Sequence, residues 1–504
     1  MQGIYLKSFF FGVRIFAVLS CNFFTYVLLY FLEKADAERC VNKRQGLMRW
    51  IFFIHLLNFN GGSLPGASKM TNHEPFTFTS SAELLKRAGE LGVQLPFQDS
   101  IEPLLKPFTI GSKQIPNRMA VQPMEGFDGE PDGSPGELTF RRYQRYAQGG
   151  SGLIWFGATS VVPEGRSNPH QLWLHAGSLD KFKQLVQHTR DAAHQAFGPS
   201  REVFLVLQLT HSGRYSQPQG KPSPLAAVHN PYLDKDKENI VIVSDDELEG
   251  LQETFVKAAR LAQEAGFDAV DIKACHGYLL HELLSAFKRT DSRFGGSFEN
   301  RTRFLTEVVT EIQKQTSGLH TAVRMNIYDG IPYPYGFGVP FDGSLTFYFS
   351  EPLELVSQLL KAGCVLVNVT MGVPAYNLHV GRPYDRPLPG WSLPEQHPLE
   401  GIFLLLKTAG KTQKDFPQAA VVGTGYSWLR QFFPHVGAAV LAQRKASFIG
   451  LGRSSFAYPD APRDLLEKGR LDPEKVCICC SGCTRLMKRG HPAGCVVRDR
   501  EAYG

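Results

Sequence analysis

Between about residue 103 and residue 470, short apolar runs rich in β-branched residues alternate with longer amphipathic stretches. The runs fall at 119–121, 152–156, 203–208, 269–273, 321–324, 365–369, 420–422 and 448–450. Each is close to continuously apolar, so both faces of each strand must be covered, and a helix between successive strands makes them parallel. Eight such units in this length predict an α/β chain folded as a closed (β/α)8 TIM barrel. An open doubly wound sheet is the competing arrangement, but no Gly-x-Gly-x-x-Gly follows an early strand. The stretch 245–265 is the best-marked helix, with Ser244 as N-cap, Glu247 completing a capping box and Gly266 at its end.

Composition narrows the partners. The chain carries 54 Lys and Arg against 48 Asp and Glu, with no basic run or stripe, so no nucleic acid is expected. Residues 9–32 are almost wholly apolar with Arg14 their only charge, and a span needs roughly 20 such residues. Two readings of this region compete: a membrane attachment through 9–32, or a start assigned too early, with Met70 opening the polar stretch. The expected organisation is a hydrophobic extension 1–70, a polar lead-in 71–102, a barrel 103–470 and a cysteine-rich tail 471–504. Cysteines are too sparse for a disulfide framework, and reduced thiols point to the cytoplasmic side of a membrane.

In a barrel, catalytic groups lie at the C-terminal ends of the strands and in the loops that follow. Here those places hold Gln122-Pro123-Met124-Glu125-Gly126, Gly157-Ala158-Thr159, Gln208, Lys273-Ala274-Cys275-His276-Gly277-Tyr278 and Arg324. The last two strands run into Gly423-Thr424-Gly425 and Gly450-Leu451-Gly452-Arg453. Glycine lets backbone N–H groups approach an oxyanion and arginine adds a forked cation, which together make a phosphate site.

The run His276-Gly277-Tyr278-Leu279-Leu280-His281-Glu282-Leu283-Leu284-Ser285, with the polar segment 289–301 after it, resembles the old yellow enzyme (NADH:flavin oxidoreductase) family. A second block, Ala158-Thr159-Ser160 with Pro163-Glu164-Gly165-Arg166, strengthens the likeness, which extends over about 103–470. The resemblance implies a barrel holding FMN, reduced by NADH or NADPH, that passes hydride to a small molecule with an activated double bond. It places Pro123, Met124 and Ala158 against the flavin, Gln208 on its pyrimidine portion, Arg324 beside N1, and Gly425, Gly452 and Arg453 at the phosphate. His276 is expected to hold the substrate oxygen and Tyr278 to protonate carbon. Two alternatives stand beside this reading: an iron–sulfur flavoprotein acting on dienoyl thioesters or amines, and a non-redox barrel lyase or binding protein.

The chain departs from the family at two positions. Lys273 stands where relatives carry a second clamping residue, and Glu125 stands where they place Thr or Cys. A Lys273–Glu125 ion pair beside the flavin is therefore expected. The segment 289–301 is expected to brace its loop rather than touch substrate. In the tail, Cys477, Cys480, Cys483 and Cys495 have the spacing of metal ligands. Their place after the barrel resembles the 4Fe–4S motif of the 2,4-dienoyl-CoA reductase branch, with one residue fewer between the second and third ligands. An iron–sulfur cluster, a zinc site of four thiolates and metal-free thiols all remain open.

Overall fold

The computed structural model describes residues 72–235 and 239–504. Eight strands close on themselves in chain order: β1 (Met119–Val121), β2 (Leu153–Ser160), β3 (Phe204–Thr210), β4 (Ala269–Ile272), β5 (His320–Tyr328), β6 (Cys364–Met371), β7 (Ala420–Gly423) and β8 (Phe448–Leu451). Pairing is parallel throughout, and Leu451 opposite Val121 shuts the barrel between β8 and β1. The expected strands are all present. β2 runs on to Ser160 and β5 to Tyr328. Apolarity stops short of the pairing there because the last residues, such as Thr159 and Asn326, lie at the rim while still bonded in the sheet.

The barrel helices are α1 (Glu137–Gln148), α2 (Leu179–Phe197), α3 (Asp245–Ala265), α4 (Phe298–Gln315), α5 (Ser350–Lys361), α6 (Pro398–Asp415), α7 (Phe433–Ala442) and α8 (Ala461–Lys468). α3 has the predicted caps. The Ser244 hydroxyl accepts from the Glu247 N–H at 3.2 Å, and Glu247 accepts from the Ser244 N–H at 2.7 Å. Such a cap contributes about 1 kcal/mol. Gly266 closes α3 at φ 92°, a left-handed conformation that costs glycine nothing.

Alternation along each strand explains the continuous apolar runs. Leu153 and Trp155 of β2, Phe204 and Val206 of β3, and Ala322, Leu366, Val422 and Phe448 pack into one inner cluster. Ile154, Phe156, Leu205, Leu207 and Val270 join an outer shell with Phe182 of α2, Phe255 of α3 and Phe304 of α4. A hairpin of Phe108–Ile110 with Lys113–Ile115, absent from the sequence expectation, puts Ile110 and Ile115 into the inner cluster.

The described residues pack as one unit. The cysteine-rich tail is pinned to α1: Asp499 accepts from Arg141 at 2.7 Å and Arg145 at 2.5 Å, and the Ala493 carbonyl accepts from Arg142 at 2.7 Å. The segment 289–301 braces its surroundings as expected. Arg289 donates to the Ala227 and Val243 carbonyls, and Arg301 donates to the Leu284 carbonyl and pairs with Glu351 at 2.6 Å. Among the described residues no helix is long and apolar enough to cross a membrane. The span expected at 9–32 lies outside the described residues.

Candidate active site

The C-terminal rim of the barrel surrounds a cavity of about 570 Å³. Pro123, Met124 and Glu125 line it from the loop after β1, Gln208 from β3, and Lys273, His276 and Tyr278 from the loop after β4. Arg324 of β5, Gly425 after β7, and Gly452 and Arg453 after β8 complete the expected set. Ala158 is the exception. It is buried but lies outside the cavity wall, and its carbonyl accepts from Gln171 at 2.9 Å. A register shift between Phe156 and Thr159 breaks the side-chain alternation at that point.

The loop after β4 is held in an unusual backbone path. His276 has φ 65° and Gly277 φ 78°, two successive residues in the left-handed region. A Cβ on Gly277 would lie 2.7 Å from the Tyr215 hydroxyl. The Gly277 N–H donates to His281 Nδ1 at 2.8 Å, and His281 Nε2 lies 2.8 Å from Asp329 Oδ1. This buried dyad fixes the turn that presents His276 and Tyr278. The His276 ring has Nε2 3.1 Å from the Thr370 hydroxyl of β6. Burial first, then the nearby Arg324 and Lys273 charges, hold its pKa well below the usual histidine value, so the imidazole is neutral.

Tyr278 donates its hydroxyl to Glu125 Oε2 at 2.9 Å, and Ser167 also donates to that carboxylate. Burial and then the Glu125 charge push the phenol well above its ordinary pKa. Lys273 Nζ stands 3.2 Å from the centre of the Tyr278 ring. The expected Lys273–Glu125 ion pair is therefore corrected: the lysine stacks on the ring and the carboxylate takes the hydroxyl of the same side chain. A buried ammonium over an aromatic face is stabilised by the ring quadrupole, and Tyr278 touches both charged groups, one at its face and one at its hydroxyl. Burial, more than any partner, lowers the Lys273 pKa.

Asp271 of β4 escapes the sequence pattern because it stands inside an apolar strand. Its Oδ2 accepts from Trp155 Nε1 at 2.9 Å and Gln208 Nε2 at 2.5 Å, and its Oδ1 from the Arg324 N–H at 2.6 Å. Burial pushes its carboxyl up to about 6. Asp271 thus holds the Gln208 side chain and the backbone that carries Arg324. The one sequence signal was a charged residue in a run that should have none.

The buried donors of the cavity wall with no hydrogen-bond partner among the described residues include Gln122 Nε2, Arg324 Nε and Arg453 Nη1. Gly425 sits at φ 103°, and a Cβ on Gly450 would lie 2.0 Å from Gln122 Nε2. A cradle of orphaned donors, a cation by the β5 end and glycine turns beside Arg453 fits a flavin with its phosphate. The tail also supplies wall residues that the sequence did not single out, Thr484, Met487 and Lys488.

Cys477, Cys480, Cys483 and Cys495 line a second, smaller cavity, with Cys479 and with Arg453, which borders both cavities. Cys477 Sγ accepts the Cys479 N–H at 3.4 Å and Cys495 Sγ the Arg498 N–H at 3.3 Å. Among the described residues no three His, Cys, Asp or Glu side chains stand in a metal-holding arrangement.

Fold and site together give a closed parallel barrel with a cation-rich cavity at its C-terminal rim. Residues 103–334 match the NADH:flavin oxidoreductase / NADH oxidase family. The chain is similar to an NADPH dehydrogenase of Bacillus subtilis, 32% identical over 222 residues, covering 43% of this chain and 61% of that protein. It is similar to a cinnamate reductase of Clostridium sporogenes, 28% identical over 421 residues, covering 81% of this chain and 60% of that protein. Among solved structures, the old yellow enzyme homologue of Zymomonas mobilis shares the fold, with TM-score 0.53, 22% identity, and 74% of this chain and 94% of that one covered. The chain spans between half and two thirds of the length of the first curated relatives it matches.

Proposed function

We propose that this chain is an FMN-dependent oxidoreductase that uses NADH or NADPH to reduce an activated alkene. The observation that carries the reading is the convergence on one cavity of the Tyr278–Glu125 pair and the orphaned donors of Gln122, Arg324 and Arg453. Gln208 and Arg324 hold the ring portion of the flavin, and Gly425, Gly452 and Arg453 hold its phosphate. Bound FMN supplies the hydride, taken from the nicotinamide, that reaches the β carbon of the substrate.

The remaining work falls to side chains of the chain itself. Lys273 and the neutral His276 hold the substrate oxygen, where negative charge builds. Tyr278 gives a proton to the α carbon, and Glu125 with Ser167 orients the hydroxyl. Arg324 keeps a fixed cation where negative charge collects on the ring. Purified protein should be yellow, release FMN on denaturation, bleach with NADPH or NADH, and regain colour with an enone. A colourless protein that does not take up FMN ends this reading, as a lyase or binding role would then fit the barrel.

The gathering of Cys477, Cys480, Cys483 and Cys495, with Cys479, around one small cavity supports a finer reading, in which four of these thiols hold a 4Fe–4S cluster or a zinc ion and the chain acts on dienoyl thioesters or amines. Iron, zinc and acid-labile sulfide measured on the same sample decide between them, and metal-free protein removes the reading.

A further inference from the structure

The cavity wall carries more positive charge than a flavin uses. Lys273, Arg324, Arg382, Arg453 and Lys488 line it, and Glu125 is the only carboxylate among the lining residues. On the reading above, Arg453 serves the phosphate, Arg324 the ring and Lys273 the reacting end of the substrate. Arg382 and Lys488 are left without a role.

Their setting is not that of ordinary surface cations. Arg382 follows β6 and donates Nη1 to the Thr484 hydroxyl, but its Nε and Nη2 are buried with no partner among the described residues. Lys488 lies at the mouth, 4.7 Å from the centre of the Trp391 ring, and Trp391 lines the same cavity. Burial lowers the pKa of both side chains, and each feels a neighbouring arginine, Arg453 for Arg382 and Arg382 for Lys488. Gathering like charges and stripping a guanidinium of partners is unfavourable unless an anion returns the lost interactions. The fork geometry of arginine matches an oxyanion, and the indole beside the lysine offers a flat apolar wall.

We propose that Arg382, Lys488 and Trp391 form a second anion subsite that takes the carboxylate of a substrate with a planar apolar body. The tail supplies Lys488 and the Thr484 that steadies Arg382, so barrel and cysteine-rich segment build the subsite together. The assignment to substrate rests on the flavin reading, because that reading gives Arg453 to the phosphate.

The test titrates trans-cinnamate and its neutral methyl ester into oxidised holoprotein, following the flavin absorbance, for wild type, Arg382→Gln and Lys488→Gln. FMN affinity of each apoprotein and inorganic phosphate binding by calorimetry are measured alongside. Loss of a charge-assisted contact should weaken cinnamate by about tenfold or more in Arg382→Gln, with the ester and FMN unchanged. The exposed Lys488→Gln change, which does not threaten folding, should weaken cinnamate in the same sense. If FMN affinity falls instead and cinnamate is unaffected, the subsite stands but its anion is the cofactor phosphate, and the substrate assignment is overturned. Wild-type protein that binds neither cinnamate nor phosphate, or variants that bind both as wild type does, overturns the subsite. Wild-type protein that takes no FMN removes the flavin reading alone, and the phosphate calorimetry then decides the subsite by itself.

Discussion

Replacing Asp271 by Asn tests how the barrel interior sets up the site. The carboxyl is fully buried, and its pKa is pushed up to about 6 from 3.8. A carboxyl raised on folding binds its proton more tightly in the folded state. Its contribution to stability is present below the unfolded value and lost as pH rises through the folded one. At 1.36 kcal/mol per unit the full loss is about 3 kcal/mol above neutrality, and roughly half of it is already felt near pH 5. Asparagine removes this titration but has one oxygen for three donors. Whichever way the amide turns, Trp155, Gln208 or the Arg324 N–H faces an N–H₂ group. One such orphan costs about 1–3 kcal/mol. The variant should therefore be less stable than wild type near pH 5, and the gap should narrow by about 1 kcal/mol by pH 7.5. Urea unfolding of the two apoproteins at both pH values measures this directly. A gap that stays constant with pH refutes the raised carboxyl as its origin. The same variant frees the Gln208 amide, so FMN should bind more weakly.

Other consequences follow from the rim. Tyr278→Phe should slow re-oxidation of the reduced protein by an enone about 100-fold or more, with reduction by the nicotinamide little changed. Equal losses in both stopped-flow half-reactions would remove Tyr278 from the acid role. Arg324→Gln should make the flavin potential more negative, because a fixed cation beside the anionic reduced ring is gone, and an unchanged spectroelectrochemical midpoint contradicts this. Gly277→Ala forces a Cβ into φ 78° and against the Tyr215 hydroxyl, and should lower stability by about 1–3 kcal/mol in thermal or denaturant unfolding. A variant as stable as wild type shows that the turn after β4 is looser than described.

The barrel was legible in the chain because it depends on local chemistry. Runs such as 203–208 are apolar on both faces, Ser244, Glu247 and Gly266 are caps that act within a few residues, and strands joined by helices can only run parallel. The position of most cavity residues was legible for the same reason, since a residue just past a strand end must lie at the rim. What these residues do to one another was not. Lys273 could be matched with Glu125 by charge, but the two come from loops 148 positions apart, and only packing seats both against Tyr278, one on its ring face and one on its hydroxyl.

That Ala158 lies outside the cavity wall was hidden for a related reason: a register shift inside β2 is a property of pairing with β3, and no local pattern announces it. Asp271 stood out as a charge in a strand, but its three donors come from β2, β3 and β5. Arg382 and Lys488 lie 106 positions apart and carried no motif at all. Their shared wall exists because the tail folds back over the rim. The sequence by itself determined which elements form, their order and which residues reach the open end. The tertiary structure decided the pairings across that end, because Coulomb and hydrogen-bond energies depend on distances of a few ångströms, and those distances are set only when the barrel closes.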